Sequence, residues 1–203
     1  MTERLYAGLR AAERDSRRRT LLLAAGLDQF ATVGWAGSSV QGICRAAGLS
    51  PRYFYDHFDT RETLFLAVTE QIAREVEETV LAALTTADDP LARAGAVIEA
   101  LDHYFASDPR TIRVALMESL STAQFRDQRR ALLATFSALG ARLMRPLRQA
   151  DARGRASRRR LELSAAVLTG GVVEALIAWE GEPSADRPLV GHLTDLYAAA
   201  AQV

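Results

Sequence analysis

The chain has 203 residues, 49% hydrophobic and 25% charged, enough for one globular domain or one with a small satellite. Its 25 basic and 25 acidic residues cancel, so a uniformly basic coat for nucleic acid is excluded and any such surface must be local. Cys44 is the lone cysteine, which excludes an internal disulfide framework and a thiolate-rich zinc site; with mixed polar residues from Met1 to Arg14, the expectation is a cytoplasmic protein.

Prolines at 51, 90, 109, 146, 183 and 188 sit where helices should start or stop, and β-branched runs bounded by turn residues are missing, so the chain reads as all-α. About nine helices are expected, near 14–33, 39–46, 51–56, 60–85, 89–106, 109–120, 122–151, 158–181 and 186–202. Every basic residue is arginine, and charge is blocked: two Arg face ten acids in 62–108, thirteen face three in 109–160. Near residue 60 short capped helices give way to long amphipathic ones, which sets the expected domains at 1–60 and 61–203. The longest apolar stretch, Leu163–Trp179, is interrupted by Ser164, Thr169 and Glu174, which suits a helix buried against protein, and no membrane span is expected.

Ser38–Phe58 is the segment richest in local signals. Ser38, with Gln41 three residues on, reads as a capping box. Val40, Ile43, Cys44 and Ala47 then share one helical face, which predicts core. Gly48 suits the left-handed residue that ends such a helix. Ser50 as N-cap, Pro51 at the first position and Leu49 against Phe54 as a hydrophobic staple start the next. The preceding helix, with Leu23, Leu27 and Phe30 on one face and Gly34 at its end, can cover the pair. Helix, tight turn, helix is the arrangement whose second helix enters the DNA major groove. Ser50, Arg52 and Tyr53 lie in the first turn of that second helix, and an arginine there can pair bidentately with guanine.

From Arg17 to Leu64 the chain resembles the DNA-binding domain of the TetR (tetracycline repressor) family of bacterial regulators. The resemblance is carried by Phe30 and Gly34 closing the first helix, Ser38-Ser39-Val40 opening the second, Ile43 to Ser50 (ICRAAGLS) at the turn, Tyr55-Asp56-His57-Phe58, and Arg61-Glu62. Arg61 stands where lysine is commoner and Cys44 where alanine is, while Pro51-Arg52-Tyr53-Phe54 is this chain's own reading sequence. The resemblance implies a transcriptional regulator, a repressor, that binds palindromic double-stranded operator DNA. It also implies that Ser50, Arg52 and Tyr53 face bases, while Ser39, Tyr55, His57 and Arg61 touch phosphates. Arg61 falls in the first turn of a helix, where the macrodipole disfavours a cation, and DNA phosphate is the expected compensating anion. Arg17, Arg18 and Arg19 either extend the phosphate contact or are exposed surface.

Residues 61–203 correspond, by the same resemblance, to a helical ligand-binding and dimerisation domain. Leu161–Trp179 is apolar around much of its circumference and holds Gly170-Gly171, and the last helix carries a stripe of Val190, Leu193, Leu196 and Tyr197. Two copies of this pair make a four-helix bundle across a two-fold axis. The expected homodimer interface is therefore Leu163, Val167, Gly170, Gly171, Leu193, Leu196 and Tyr197, with intramolecular core as the alternative. Candidate ligand contacts are His103, Tyr104, Phe105, Met117, Glu118, Phe125, Phe136 and Trp179, an inventory that suits a mostly apolar small molecule and also fits plain core. Arg153, Arg155, Arg158, Arg159 and Arg160 read as a solvated connection or as a second anion-binding surface.

An enzyme is the rival from another class. The sequence has no G-x-S-x-G elbow, no Gly-rich phosphate loop and no H-E-x-x-H, and His57, His103 and His192 are scattered. Asp102 and His103 are adjacent, and neighbours on a helix point in different directions. No catalytic residue, cofactor or metal is expected. A helical interaction protein without a DNA role is the other alternative, and the full set from Ser50 to Arg61 stands against it.

Overall fold

Glycine breaks the first helix where the sequence places its end. In the computed structural model, which describes residues 2–147, 155–178 and 189–201, α1 spans Thr2–Gly37, and Gly34 departs from helical geometry with φ 72° and ψ 172°. A side chain there would be strained, so only glycine makes this bend cheaply. The helix begins at Thr2 rather than near residue 14, because Ala, Leu, Arg and Glu dominate the first turns and no proline interrupts them.

α2 (Val40–Ala47) is capped by Ser39, whose Oγ accepts from the Gly42 amide at 3.0 Å. The expected capping box on Ser38 does not form: the cap moves to Ser39, whose third position is Gly42 with no side chain to return the bond, and the Ser38 hydroxyl donates back to the Trp35 carbonyl at 2.9 Å. Gly48, at φ 66°, ends α2 in the left-handed conformation, as expected. α3 (Pro51–Tyr55) follows with Pro51 in its first turn, but the Ser50 side chain makes no capping bond.

α4 (Arg61–Ala83) completes the first core and continues into the second. Leu22, Phe30, Ile43, Phe54, Leu64 and Phe65 are fully buried, each contributing roughly 1.5–3 kcal/mol. The Phe65 ring lies 5.0 Å from Phe30 and 5.6 Å from Trp35, both edge-to-face. The chain divides into two compact units, 1–71 and 72–203, and α4 supplies Leu64, Phe65 and Val68 to the core of the first.

In the second unit α5 (Pro90–Ser107) is N-capped by Asp89 and α6 (Pro109–Ile112) by Asp108. The single helix expected over 109–120 is instead α6, a π-helical turn at Arg113–Met117 and a 3-10 turn at Glu118–Leu120. The wider π turn gathers the consecutive Val114, Ala115 and Leu116 inward, and all three are buried. α7 (Ala123–Met144) opens on the Thr122 cap and stops short of the expected residue 151, because Pro146 cannot continue it and lies in a closing 3-10 turn. α8 (Arg155–Ala178) and α9 (Leu189–Ala201) complete nine α-helices among the described residues. Ala94, Ala141, Met144, Leu161, Ala165 and Tyr197 pack together at the centre of this unit.

Candidate nucleic-acid interface and ligand cavity

Five residues make a helix of about 7.5 Å, too short to persist without packing. Phe54 supplies that packing: it is fully buried, and its ring meets Tyr55 at 5.4 Å and Phe58 at 5.9 Å. The other positions of α3 face solvent, so Arg52, Tyr53 (37% exposed) and Tyr55 (58%) project together beside the exposed Ser50. The expected base-reading trio is thus on one accessible surface, and Ser39 and Arg17 are exposed as well.

The four other expected phosphate ligands, Arg61, His57, Arg18 and Arg19, are each engaged by groups of the same unit. The Arg61 guanidinium donates to the carbonyls of Trp35 (3.1 Å) and Ser38 and to Ser38 Oγ (3.2 Å), with its centre 3.9 Å from the centre of the Trp35 ring. The partner that offsets its place at a helix start is therefore internal: carbonyls freed where α1 ends. His57 also points inward, its side chain 6% exposed, with Nε2 buried 3.5 Å from Asp15 Oδ1. Arg19 lies over the Phe58 ring at 4.8 Å. Arg18 lies over Tyr53 at 4.7 Å and pairs with Asp15 at 3.2 Å. Asp15 and Trp35 had no place in the sequence reading, although the three-residue spacing of Asp15 and Arg18 on a helix is a legible signal.

The second unit holds a partly open cavity of about 140 Å³ between α4, α5, the π turn, α7, α8 and α9. Among the described residues none of its lining is charged. Its two polar side chains are already satisfied: Thr169 donates to the Ala165 carbonyl at 2.9 Å, and the Tyr197 hydroxyl to the Gly140 carbonyl at 2.5 Å. Phe105 and Phe136 line it, as expected. His103, Tyr104, Met117, Glu118 and Phe125 do not. His103 and Met117 are exposed, Glu118 lies in the 3-10 turn, Phe125 is buried elsewhere, and Trp179 lies outside the described residues. Tyr104 donates to Glu75 Oε2 at 2.7 Å; burial first, then that carboxylate, raises its pKa well above the ordinary phenol value. Sequence spacing had marked aromatics, whereas the walls are mainly aliphatic, with Val76, Ile98 and Leu176 among them.

The α8 face expected at an interface is open. Leu163 and Val167 are each 65% exposed, and Gly170 and Gly171 have nothing within 4 Å of where a Cβ would stand. Leu196 on α9 is exposed too. Leu193 and Tyr197 are corrected: both are buried inside the protomer and line the cavity, because α9 turns that stripe toward α5 and α7. Arg158, Arg159 and Arg160 are exposed, and Arg153 lies outside the described residues. By length and composition, Arg158–Ala178 is apolar enough to cross a membrane, at a mean hydropathy of 1.7, and the open stripe contributes to that value.

Two short helices joined through a left-handed glycine, the second anchored by one phenylalanine and offering Arg52, Tyr53 and Tyr55 outward, define a helix-turn-helix protein. The family model described as bacterial regulatory proteins, tetR family, matches residues 22–68. The HTH-type transcriptional regulator BetI of Brucella anthropi is 32% identical over 147 residues, 70% of this chain and 73% of that protein. The chain belongs to the TetR family of bacterial regulatory proteins. The HTH-type transcriptional activator FasR of Mycolicibacterium smegmatis is 32% identical over 101 residues, 50% of this chain, so the match spans only 46% of that relative. The fold is also that of the transcriptional regulator FadR from Bacillus subtilis, solved in complex with stearoyl-CoA, with a TM-score of 0.70 at 15% identity over 90% of this chain and 97% of that one.

Proposed function

We propose that the protein is a homodimeric, ligand-responsive transcriptional repressor of the cytoplasm, without catalytic activity of its own, that reads a palindromic operator through Ser50, Arg52 and Tyr53. The observation that carries the reading is α3, a helix whose only buried residue is Phe54 and whose other side chains are exposed. Ser39, Tyr55 and Arg17 are the phosphate contacts of this reading, because they are exposed beside it. Arg61 and His57 act from inside as braces. Leu163, Val167, Gly170, Gly171 and Leu196 form the face on which a second copy packs, giving the two reading heads the symmetry of an inverted repeat. The apolarity of α8 is thereby assigned to protein contact rather than to lipid.

The cavity of the second unit takes a neutral, mostly hydrocarbon ligand, since among the described residues it offers no charge and no unsatisfied hydrogen-bonding side chain. Its volume is close to that of a ~150 Å³ apolar cavity known to hold benzene. The stearoyl-CoA complex of the B. subtilis regulator supports a longer chain entering from the open side. A preference of about 1–3 kcal/mol for one conformer is enough to shift operator affinity usefully. Repression follows the family resemblance, and the relative from M. smegmatis is named an activator, so the sign is read from a reporter carrying the operator: deleting the regulator raises transcription if it represses.

The test is selection from random double-stranded DNA at fixed, near-physiological salt, with the bound pool sequenced. An enriched inverted repeat is the expected result; salt-sensitive binding without any enriched motif, persisting after unfolding and refolding to strip bound ligand, refutes the reading.

A further inference from the structure

The contacts that α1 makes with the reading helix have no part in the function proposed above. The Arg18 guanidinium lies over the Tyr53 ring at 4.7 Å from its centre, and its Nη2 donates to Asp15 Oδ1 at 3.2 Å. Arg18 Nε is buried and the side chain is only 28% exposed, so the group is engaged by the ring and the carboxylate with little of it turned to solvent. The same Asp15 oxygen lies 3.5 Å from His57 Nε2, just beyond the far end of α3. One carboxylate of α1 thus meets the reading segment at two places, through Arg18 over Tyr53 at the middle of α3 and directly at His57.

Tyr53 gains most from such an arrangement. Its ring projects from a five-residue helix that has no side-chain cap at Ser50, and two torsions decide where its hydroxyl falls. A hydroxyl that swings freely reads no base, whereas a guanidinium stacked on one ring face fixes the plane and leaves the edge bearing the hydroxyl clear. Arginine is suited to this because it stacks flat and accepts an ion pair at its rim at the same time.

We propose that Arg18, held by Asp15, is a positioning residue that sets the base preference of Tyr53 and makes no phosphate contact of its own. The proposal rests on Tyr53 reading bases.

The test uses the full chain and the operator selected with the wild-type protein. Wild type, Arg18→Met, Arg18→Lys, Asp15→Asn, Tyr53→Ala and the Arg18→Met, Tyr53→Ala double variant are titrated at several salt concentrations against that operator and all its single-base substitutions, with thermal unfolding followed alongside. Arg18→Met is expected to weaken the selected operator several-fold and to flatten preference at the base positions that Tyr53→Ala flattens. The salt slope stays as in wild type, and no further loss appears in the Tyr53→Ala background. Arg18→Lys retains most of the preference, since an ammonium also sits over a ring. Asp15→Asn gives the same profile with smaller amplitude.

An equal loss on every sequence, with the salt slope falling by about one per monomer, makes Arg18 a phosphate ligand and overturns the proposal. An Arg18→Met profile identical to wild type overturns it as well and leaves the reading function standing. Failure of the wild-type chain to enrich any sequence overturns both.

Discussion

In residues 1–71 charged groups are turned back onto rings and carbonyls, whereas the cavity of residues 72–203 is lined by no charged group among the described residues. Both arrangements follow from what each unit must hold in place. A five-residue helix has almost no interior of its own, so the first unit fixes its surface by directional contacts: Arg61 on two carbonyls, Arg18 on a tyrosine, Asp15 beside a histidine. The second unit has long helices with aliphatic faces, and area-proportional, non-directional burial is enough to assemble them around a void. Directional contacts specify one geometry. Non-directional ones leave room for a guest of similar polarity.

That contrast can be broken at three places. Phe65→Ala should cost about 3–5 kcal/mol, because it opens the aromatic cluster formed with Phe30 and Trp35. Urea unfolding measures this, and uptake of an apolar fluorescent probe in the second unit should survive; equal loss of that uptake would erase the distinction between the units. Arg61→Met should cost about 1.5–3 kcal/mol by leaving the carbonyls of Trp35 and Ser38 without their charged donor. The slope of DNA binding against salt should not change; a slope lower by about one per monomer would return Arg61 to the phosphates. Asp108→Ala is the smallest, at about 1 kcal/mol, removing the cap of α6 ahead of the π turn. Hydrogen bonds from Arg110 hold the Asp108 carboxyl below its ordinary value against the opposing effect of partial burial. With a lowered folded-state pKa, its contribution is present above the unfolded value near ~4 and is lost as pH falls through the folded one. The gap between wild type and variant in thermal unfolding should therefore close on acidification, and a gap that widens would contradict the assignment.

Much of the first unit was legible because its decisive residues act over one to four positions. Gly34, Gly48, Pro51 and Phe54 each do locally what their chemistry demands. What escaped was the direction of long side chains. The resemblance points Arg61 and His57 toward DNA phosphates, and the macrodipole calls for an anion beside Arg61, yet each finds a partner more than twenty residues away in its own chain. In the second unit the helices were largely recognisable by period, but period alone does not say which neighbour a stripe meets. Leu193 and Tyr197 therefore went to a partner chain instead of to the protomer's own core. The π turn was hidden for a related reason, since only the packing of Val114, Ala115 and Leu116 together calls for it.

The lone anchor of α3 has an evolutionary corollary. With Phe54 alone committed to the interior, Pro51, Arg52 and Tyr55 can drift with little effect on folding stability, so a descendant can acquire a new target site by point changes while keeping its scaffold. Position 53 is the exception to that freedom. Its aromatic ring is matched to an arginine on another helix, and lineages that exchange the tyrosine should exchange residue 18 along with it.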